Sequence, residues 1–271
     1  MIDAKTQLFC LLGKPAKHSL SPMMHNAGFS AIGMNCIYLA FEPENLAGTV
    51  KGLRELDVGG FNVTMPFKTE IIPLLDKVDE MAKKIGAVNT VVNENGKLVG
   101  YNTDGVGAVA ALKKVTPLAG KKILLLGAGG AGKAIAHYLA KEKVQLTIAD
   151  KTKSKAEELA KAVGSQAALS DGIKSLEGFD IVINASPAGM KPDVQGTPVP
   201  VSLLHKNLVV FDIVYEPLET KFLREARLKG CKTINGVEML LEQGFAAFEL
   251  FAQRRAPQEK MREALMNGIG R

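Results

Sequence analysis

Residues 121–143 read KKILLLGAGGAGKAIAHYLAKEK, which is a compact apolar strand, a glycine-rich turn and a helical run in immediate succession. The turn follows the pattern G-x-G-x-x-G. In that pattern the first glycine makes a tight turn, the second lets the backbone approach a pyrophosphate, and the third permits close packing of helix on strand. The start of the helix adds unpaired N–H groups that attract an anion. The stretch predicts a dinucleotide-binding loop made of Gly127, Ala128, Gly129, Gly130, Ala131 and Gly132.

The alternative is a glycine-rich turn that merely joins a strand to a helix, and the next strand, which ends at Asp150, argues against it. Asp150 follows Gly132 by 18 residues, where an acidic side chain accepts hydrogen bonds from an adenosine ribose and favours NAD. Lys151, Thr152 and Lys155 come next, and such side chains suit the 2′-phosphate of NADP. The two signals conflict, and the alternative, that Lys153 and Lys155 form a solvated first helical turn, explains these lysines equally well.

Apolar strand-like runs alternate with helical patterns along the chain. In the first hundred residues these patterns are Leu8–Gly13, Pro22–Ile32, Cys36–Phe41, Asn45–Leu56 and Phe61–Met65. Ala87–Val92 and Leu98–Tyr101 then flank Asn95-Gly96, a dipeptide that is typical of hairpin turns. This part of the chain is predicted to form an α/β lobe that is closed by a short hairpin.

A second α/β series begins after Gly120. Its strands are predicted at Ile123–Leu126, Gln145–Ala149, Ile181–Asn184, Leu208–Val214 and Thr233–Ile234. Strands that alternate with helices imply a parallel sheet. Two final helices, Glu238–Gln253 and Pro257–Met266, are expected to pack back toward the first lobe. The prediction is a two-domain α/β protein, with an N-terminal α/β substrate domain (residues 1–104 and 238–271) and a Rossmann-type parallel-sheet dinucleotide-binding domain (residues 105–237).

The composition is that of a soluble globular protein, with 46% hydrophobic and 23% charged residues. The net charge of +6 comes from lysines spread over helical faces, so we expect a solvated surface and no nucleic-acid partner. No apolar run approaches membrane-spanning length, and the three cysteines suit reduced thiols. We therefore expect a cytoplasmic protein with no membrane partner and no metal.

Clusters of polar residues follow apolar strands in the first lobe, where α/β proteins usually build sites. Ser19 and Ser21 follow the first strand and are suited to donating hydrogen bonds to a carboxylate, although capping of the next helix explains them as well. Lys68 comes just after the third strand, near Thr64, and an ordinary surface charge is the alternative. A third cluster surrounds Asn89 and residues 100–104.

Taken together, these segments resemble the shikimate dehydrogenase family. The stretches that carry the resemblance are residues 17–22 (KHSLSP), 62–68 (NVTMPFK), 86–90 (GAVNT), 102–104 (NTD), the glycine loop, 184–187 (NASP), 212–215 (DIVY) and 236–240 (GVEML). They occur in the family's order over nearly the whole chain. The resemblance implies reversible, NADP-linked reduction of 3-dehydroshikimate to shikimate, a step of aromatic amino-acid biosynthesis.

The resemblance also assigns roles to residues. Lys68 is implied as the catalytic acid and base, and Asp104 as the carboxylate paired with it. The implied substrate contacts are Ser19, Ser21, Thr64, Lys68, Asn89, Asp104, Tyr215 and Gln243. Besides the glycine loop and Asp150, Lys151, Thr152 and Lys155, the implied cofactor contacts are Ile213, Gly236 and Glu80. Without the family, Tyr215 would be interpreted as buried packing, Gln243 as a polar position on a helix, and Glu80 as an exposed helix carboxylate.

Two departures from the family pattern bear on these roles. The family usually has Asn-Arg-Thr where this chain has Asp150-Lys151-Thr152, so NAD stays possible beside NADP. Glu216 also stands where an asparagine is common. The alternatives are a quinate and shikimate dehydrogenase that uses NAD, and a non-catalytic nucleotide-sensing homologue. Either a monomer or a homodimer is compatible with the sequence.

Overall fold

The computed structural model describes residues 2–269, and these form two compact units. The first unit takes the chain up to Thr103 together with the chain from Gln243 onward, and the second is Asp104–Glu242. The strands and helices of the first stretch are β1 (Gln7–Leu12), α1 (Ser21–Ala31), β2 (Cys36–Phe41), α2 (Leu46–Glu55), β3 (Gly60–Val63), β4 (Lys77–Val78), α3 (Glu80–Ile85), β5 (Thr90–Glu94) and β6 (Lys97–Tyr101).

The second unit contains the elements around the glycine loop. They are α4 (Asp104–Lys113), β7 (Lys122–Leu126), α5 (Gly130–Leu139), β8 (Gln145–Asp150), α6 (Lys153–Val163), β9 (Gln166–Leu169), β10 (Ile181–Asn184), β11 (Val209–Asp212), α7 (Lys221–Leu228) and β12 (Lys232–Ile234). Helix α8 (Gly236–Ala252) begins in the second unit and ends in the first, and α9 (Gln258–Gly268) follows it.

The sheet of the first unit is mixed, with the strand order β2-β1-β3-β5-β6-β4. Strands β2, β1 and β3 run parallel to one another, whereas β5 pairs antiparallel with both β3 and β6. The predicted hairpin is confirmed, because β5 and β6 are joined through Asn95 and Gly96, which have φ values of 55° and 85°. Positive φ at both positions is what a tight hairpin turn requires.

An exposed edge is avoided at β2 by a side chain from α1. The Asn26 side chain accepts a hydrogen bond from the Tyr38 N–H at 2.8 Å and donates one to the Tyr38 carbonyl at 2.9 Å. Both backbone groups at the centre of this outermost strand are thereby paired by a side chain. Such covering of a sheet edge is a known protection against pairing with another chain.

The tail packs on α1 as the sequence predicts. A Cβ added to Gly28 of α1 would lie 2.6 Å from the Phe248 ring of α8 and 3.1 Å from Met261 of α9, so glycine allows a close approach of these helices. Beside this contact lies an aromatic cluster in which the His25 ring stacks on Tyr38 at 4.5 Å. Burial lowers the pKa of His25 to about 3, which keeps the imidazole neutral in the core.

The sheet of the second unit is parallel throughout, with the strand order β12-β11-β10-β7-β8-β9. Both faces are covered: Ile123 and Leu125 of β7 belong to one buried cluster, and Leu124 and Leu126 belong to another. Burial on two sides explains why the strand reads as a continuous apolar run. The predicted Rossmann-type parallel sheet is confirmed.

Some predicted boundaries are wrong. The strand predicted at Ala87–Val92 begins only at Thr90, and the strand predicted at Leu208–Val214 ends at Asp212. In the second case the Asp212 carboxylate accepts a hydrogen bond from the Val214 N–H and turns the chain. Strands β4 and β9 were not predicted: β4 has two residues, and β9 (QAAL) contains no β-branched or aromatic residue.

Candidate active site

The glycine loop connects β7 to α5 and requires glycine at two buried positions. Gly127 has φ of +111°, and a Cβ there would lie 2.7 Å from the carbonyl oxygen of Ala185. A Cβ on Gly132 would lie 2.0 Å from the carbonyl oxygen of Gly127. These contacts are with backbone atoms, which cannot rotate away. The first and third glycines of the pattern are therefore required by packing within the protein itself.

The middle of the loop is open. A Cβ added to Gly129 or to Gly130 would meet no atom within 4 Å. Gly129 is the N-cap of α5 and provides no side-chain hydrogen bond to the helix, so the first-turn N–H groups of α5 face the loop. Open space above N–H groups at a helix N-terminus fits a pyrophosphate. The residues present therefore fit a dinucleotide cofactor.

Asp150 braces the glycine loop from the end of the neighbouring strand β8. Its Oδ2 accepts a hydrogen bond from the Ala128 N–H at 2.8 Å, and its Oδ1 accepts one from the Thr152 N–H at 2.8 Å. The sequence interpretation considered only ribose binding for this carboxylate and missed the bracing role. Lys151, Thr152 and Lys155 lie exposed at the beginning of α6.

The remaining cofactor predictions fall in different places. A Cβ on Gly236 would lie 2.2 Å from the carbonyl oxygen of Ile213, so the start of α8 contacts the turn after β11 directly. Glu80 lies in the first unit as the first residue of α3, where it forms a 2.8 Å ion pair with Lys83. The hydrogen bond and charge of Lys83 lower the pKa of this carboxyl. The interactions of Glu80 are those of an exposed helix carboxylate.

Ser19 and Ser21 lie at the start of α1. The helix begins at Ser21 and its N-cap is Leu20, which makes no side-chain cap bond, so Ser21 does not cap the helix as the sequence allowed. The Ser19 Oγ accepts a hydrogen bond from the Ser21 N–H at 3.2 Å. Two hydroxyl groups at a helix N-terminus form an environment that suits an anion.

The backbone segments that contain Thr64, Lys68 and Asn89 are neighbours at the ends of adjacent strands of the first unit, since the Val63 N–H donates to the Asn89 carbonyl at 2.8 Å. The Thr64 N–H donates to the Leu12 carbonyl at 2.8 Å, and the Val88 N–H donates to the Lys68 carbonyl at 2.8 Å. The loop after β1 joins them, because the Lys14 N–H donates to the Met65 carbonyl at 2.9 Å. The carboxyl ends of β1 and β3 thus collect most of the polar residues predicted for substrate binding in this unit.

Behind these residues lies a buried polar network that the sequence analysis missed. The Tyr38 hydroxyl donates to Asn62 Oδ1 at 2.7 Å, and Asn62 Nδ2 donates to Thr90 Oγ1 at 3.0 Å. Thr90 Oγ1 in turn donates to Asn89 Oδ1 at 3.0 Å, which also accepts from the Thr103 N–H at 2.8 Å. The network fixes the Asn89 amide from the side of the core.

The other predicted site residues belong partly to the second unit. Asp104 is buried in the first turn of α4, and Tyr215 follows β11. The interpretation of Tyr215 as buried packing is wrong, because its side chain is 43% exposed. Gln243 lies in α8 and belongs to the first unit.

Comparison with known proteins agrees with this arrangement. Three family models match successive parts of the chain: the shikimate dehydrogenase substrate binding domain at residues 11–91, shikimate/quinate 5-dehydrogenase at 109–215 and the shikimate 5′-dehydrogenase C-terminal domain at 236–266. A shikimate dehydrogenase (NADP(+)) from Thermococcus kodakarensis is 45% identical over 273 residues, which cover 99% of each chain. The chain belongs to the shikimate dehydrogenase family.

Further members of the shikimate dehydrogenase family are equally similar. The enzyme of the same name from Moorella thermoacetica is 46% identical over 282 residues, covering 99% of this chain and 96% of that one. A crystal structure of a shikimate dehydrogenase in complex with NADP+ has a TM-score of 0.94 at 42% identity, covering 100% of this chain and 98% of that one. The resemblance inferred from the sequence motifs is confirmed.

One polar cluster of this shikimate dehydrogenase family member had no predicted role. Asp212, at the end of β11, is fully buried and accepts a 2.6 Å hydrogen bond from the Thr220 hydroxyl. Burial raises its pKa to about 6. The sequence marks the two partners only separately, as polar residues that end the otherwise apolar strands VVFD (Asp212) and IVIN (Asn184).

Residues 2–269 contain neither a candidate membrane span nor a candidate metal site. No helix there has the length and apolarity that crossing a bilayer requires. Within the same range, no group of three or more His, Cys, Asp and Glu side chains is arranged to hold a metal ion.

Proposed function

We propose that this protein catalyses the reversible NADP-dependent reduction of 3-dehydroshikimate to shikimate, an oxidoreductase step at a CH–OH group in aromatic amino-acid biosynthesis. The observation that carries the proposal is full-length similarity to enzymes named shikimate dehydrogenase (NADP(+)), joined to a glycine loop that fits a dinucleotide. The names of those relatives favour shikimate with NADP over quinate with NAD. They give no support to a purely nucleotide-sensing role.

The cofactor would be held by the second unit. The N–H groups from Gly129 to Gly132 are placed to receive its pyrophosphate, and Lys151, Thr152 and Lys155 are proposed to meet the 2′-phosphate. Ile213 and Gly236 are proposed to line the nicotinamide end. When bound, NADPH supplies the hydride that reduces the ketone.

The substrate would be held by hydroxyl, amide and charged side chains. Ser19 and Ser21 are proposed to donate hydrogen bonds to its carboxylate, which the N-terminus of α1 also favours. The proposed contacts to the ring hydroxyls are Thr64, Asn89, Asp104, Tyr215 and Gln243. A site built from hydrogen-bonding groups selects strongly for a polyhydroxylated ring, because analogues that lack a hydroxyl leave a polar group unpaired.

Lys68 is proposed to transfer the proton of the reaction. As hydride adds to the ketone carbon, the oxygen gains negative charge and takes a proton from the Lys68 ammonium. In the reverse direction the neutral amine accepts the proton of the same hydroxyl while the hydride leaves. Asp104 is proposed to orient the ammonium and to accept a hydrogen bond from a substrate hydroxyl. Glu80 is kept as a proposed cofactor contact on the family resemblance alone.

We also propose that substrate binding and catalysis belong to residues 1–104 and 238–271, and that cofactor binding belongs to residues 105–237.

Cys10, Cys36 and Cys231 are all free thiols, which supports a reducing, cytoplasmic location. A monomer or a homodimer is expected, and sedimentation at several protein concentrations distinguishes the two.

The catalytic proposal is tested by Lys68→Ala. We expect NADPH affinity to stay within twofold of the wild type, while kcat for shikimate oxidation falls by about 10²–10⁴, the usual contribution of a general acid or base. Lys51→Ala, which removes an exposed lysine of α2, is the control and should leave both quantities unchanged. Unchanged turnover in Lys68→Ala would exclude the proposed role.

Substrate and cofactor are tested together by four steady-state rates, the oxidation of shikimate and of quinate with NADP+ and with NAD+. We expect the highest kcat/KM for shikimate with NADP+. A higher value for quinate with NAD+ would replace the proposal by the quinate dehydrogenase alternative. Failure of all four reactions, with intact NADPH binding, would favour the sensing alternative.

A further inference from the structure

A fully buried carboxylate lies beneath the turns that follow β10 and β11. Asp212 Oδ1 accepts hydrogen bonds from Asn184 Nδ2 at 2.9 Å and from the Val214 N–H at 3.1 Å, and Oδ2 accepts from the Thr220 hydroxyl at 2.6 Å. All three donors are neutral. A carboxylate is the side chain that three converging donors require, since it offers two oxygens and no hydrogen.

The partner of Asp212 shapes the turn on the neighbouring strand. Asn184 ends β10 and lies opposite Asp212 in the parallel register. Its Oδ1 accepts from the Ser186 N–H at 3.0 Å and the Ser186 hydroxyl at 2.7 Å, and its Nδ2 also donates to the Ala188 carbonyl at 3.0 Å. One hydrogen bond, Asn184 to Asp212, thus joins the side chains that form both turns.

Both turns lie against segments that the cofactor would touch. The carbonyl oxygen of Ala185 lies so close to Gly127 of the glycine loop that no side chain fits there. The carbonyl oxygen of Ile213 likewise lies close to Gly236 and excludes a side chain at that position. A small shift of either turn therefore moves backbone atoms in the proposed cofactor site. Open α/β sheets bind their ligands at this carboxyl edge of the strands.

We propose that Asp212 is a positioning residue for cofactor binding, which holds the turns after β10 and β11 in one fixed relation to the glycine loop and to the start of α8. This inference rests on the proposed function, because it presumes that NADPH binds at this edge. Asp212 is fully buried and acts through its three hydrogen-bond donors, Asn184, Val214 and Thr220.

A second link between the same turns serves as a comparison. Lys191 and Glu216 form a 2.6 Å ion pair between the segments that follow β10 and β11. The two side chains are 66% and 55% exposed, and exposed pairs contribute little because water and salt screen them. The buried Asn184–Asp212 link is therefore the one that determines the positions of the turns.

The test compares NADPH affinity in variants of Asp212 and Thr220 with that in a variant of Asp180, a carboxylate at the opposite end of the same sheet that is paired with Lys121. Asp180 lies just before β10 and accepts a 2.9 Å hydrogen bond from the Lys122 N–H, far along the strand from the glycine loop. Affinity is measured by the fluorescence change of NADPH, and the thermal midpoint is recorded for every variant.

We expect Asp212→Asn to raise the Kd for NADPH at least tenfold, because its amide group places a hydrogen against the converging donors. Asp180→Asn should lower the thermal midpoint without changing that Kd by more than twofold, and Lys191→Ala should change it less than threefold. Thr220→Val should raise the Kd, and Thr220→Ser, which keeps the donating hydroxyl, should restore it. If Asp212→Asn does not fold, the comparison of Thr220→Val with Thr220→Ser tests the proposal.

Unchanged NADPH affinity in Asp212→Asn and in Thr220→Val, with normal binding by the wild type, would overturn the inference and leave the proposed function intact. A similar loss of affinity in Asp180→Asn would also overturn it, because the effect would then follow stability and not position. Absence of NADPH binding by the wild-type protein would overturn the proposed function and this inference with it.

Discussion

Alanine substitutions in the glycine loop distinguish a glycine that packing within the protein requires from a glycine that cofactor binding requires. In Gly132→Ala the new Cβ would lie 2.0 Å from the carbonyl oxygen of Gly127, and both groups are fixed to the backbone. Such overpacking costs about 1–3 kcal/mol of stability. In Gly129→Ala the new Cβ meets nothing within 4 Å, and φ of −74° with ψ of −172° suits any residue. Loss of unfolded-state entropy should then stabilise the protein by about 0.4–1 kcal/mol.

Both variants are nevertheless expected to lose cofactor affinity. A methyl group on Gly129 occupies the space through which a pyrophosphate approaches the N–H groups of α5. We expect the Kd for NADPH to rise at least tenfold, which corresponds to about 1.4 kcal/mol. Thermal or urea unfolding without cofactor gives the stability of each variant, and NADPH fluorescence gives its affinity.

Gly52→Ala is the matched control, since Gly52 lies in the middle of α2 with no atom within 4 Å of the new Cβ. It should gain up to about 1 kcal/mol from helix propensity and keep wild-type affinity. Wild-type affinity in Gly129→Ala would refute the assignment of the pyrophosphate to this loop. Wild-type stability in Gly132→Ala would refute the steric argument.

Three further predictions concern buried or edge-protecting groups. Because burial raises the Asp212 pKa from 3.8 to about 6, the stability that this group contributes to the wild type is fully present only below about pH 4 and is lost as the pH rises through about 6. The unfolding free energy of Asp212→Asn relative to wild type should therefore rise by about 2 kcal/mol between pH 4 and pH 7 in urea titrations, and a flat difference would contradict this. Tyr38→Phe leaves Asn62 Oδ1 without its buried donor, so we expect the free energy of unfolding to fall by about 1–3 kcal/mol and the KM for shikimate to rise. An unchanged KM would show that the network does not affect substrate binding. Asn26→Leu exposes the central backbone groups of β2, and sedimentation should detect self-association that the wild type lacks at the same concentration.

Local patterns predicted most of the secondary structure. The strand Cys36–Phe41 is identical in prediction and structure, and so is Ile181–Asn184, because each is a short apolar run with sharp boundaries. The strand predicted to reach Val214 stops at Asp212, since apolar residues continue after the point where a side-chain hydrogen bond turns the chain. Such a bond leaves no trace in hydrophobic periodicity.

The site was predictable to the extent that its residues carry motifs. The glycine loop could be inferred from physical chemistry, whereas the roles of Lys68 and Asp104 depended on family resemblance and stay predictions. The Asn184–Asp212 link could not be predicted, because it depends on β10 and β11 being neighbours with these two residues in register. Sheet order is a long-range property, and neither strand sequence states which partner it takes.

The path of the chain through the two units has a consequence for folding during synthesis. Helix α1 is made before the second unit, but Phe248 and Met261, which pack against it, are made after the second unit. Domains usually fold in the order in which they leave the ribosome. Here the second unit, which is one uninterrupted segment, has all of its residues before the first unit has its own. The N-terminal part should therefore wait with α1 uncovered, and a chaperone that binds exposed apolar helices would meet this protein at that stage.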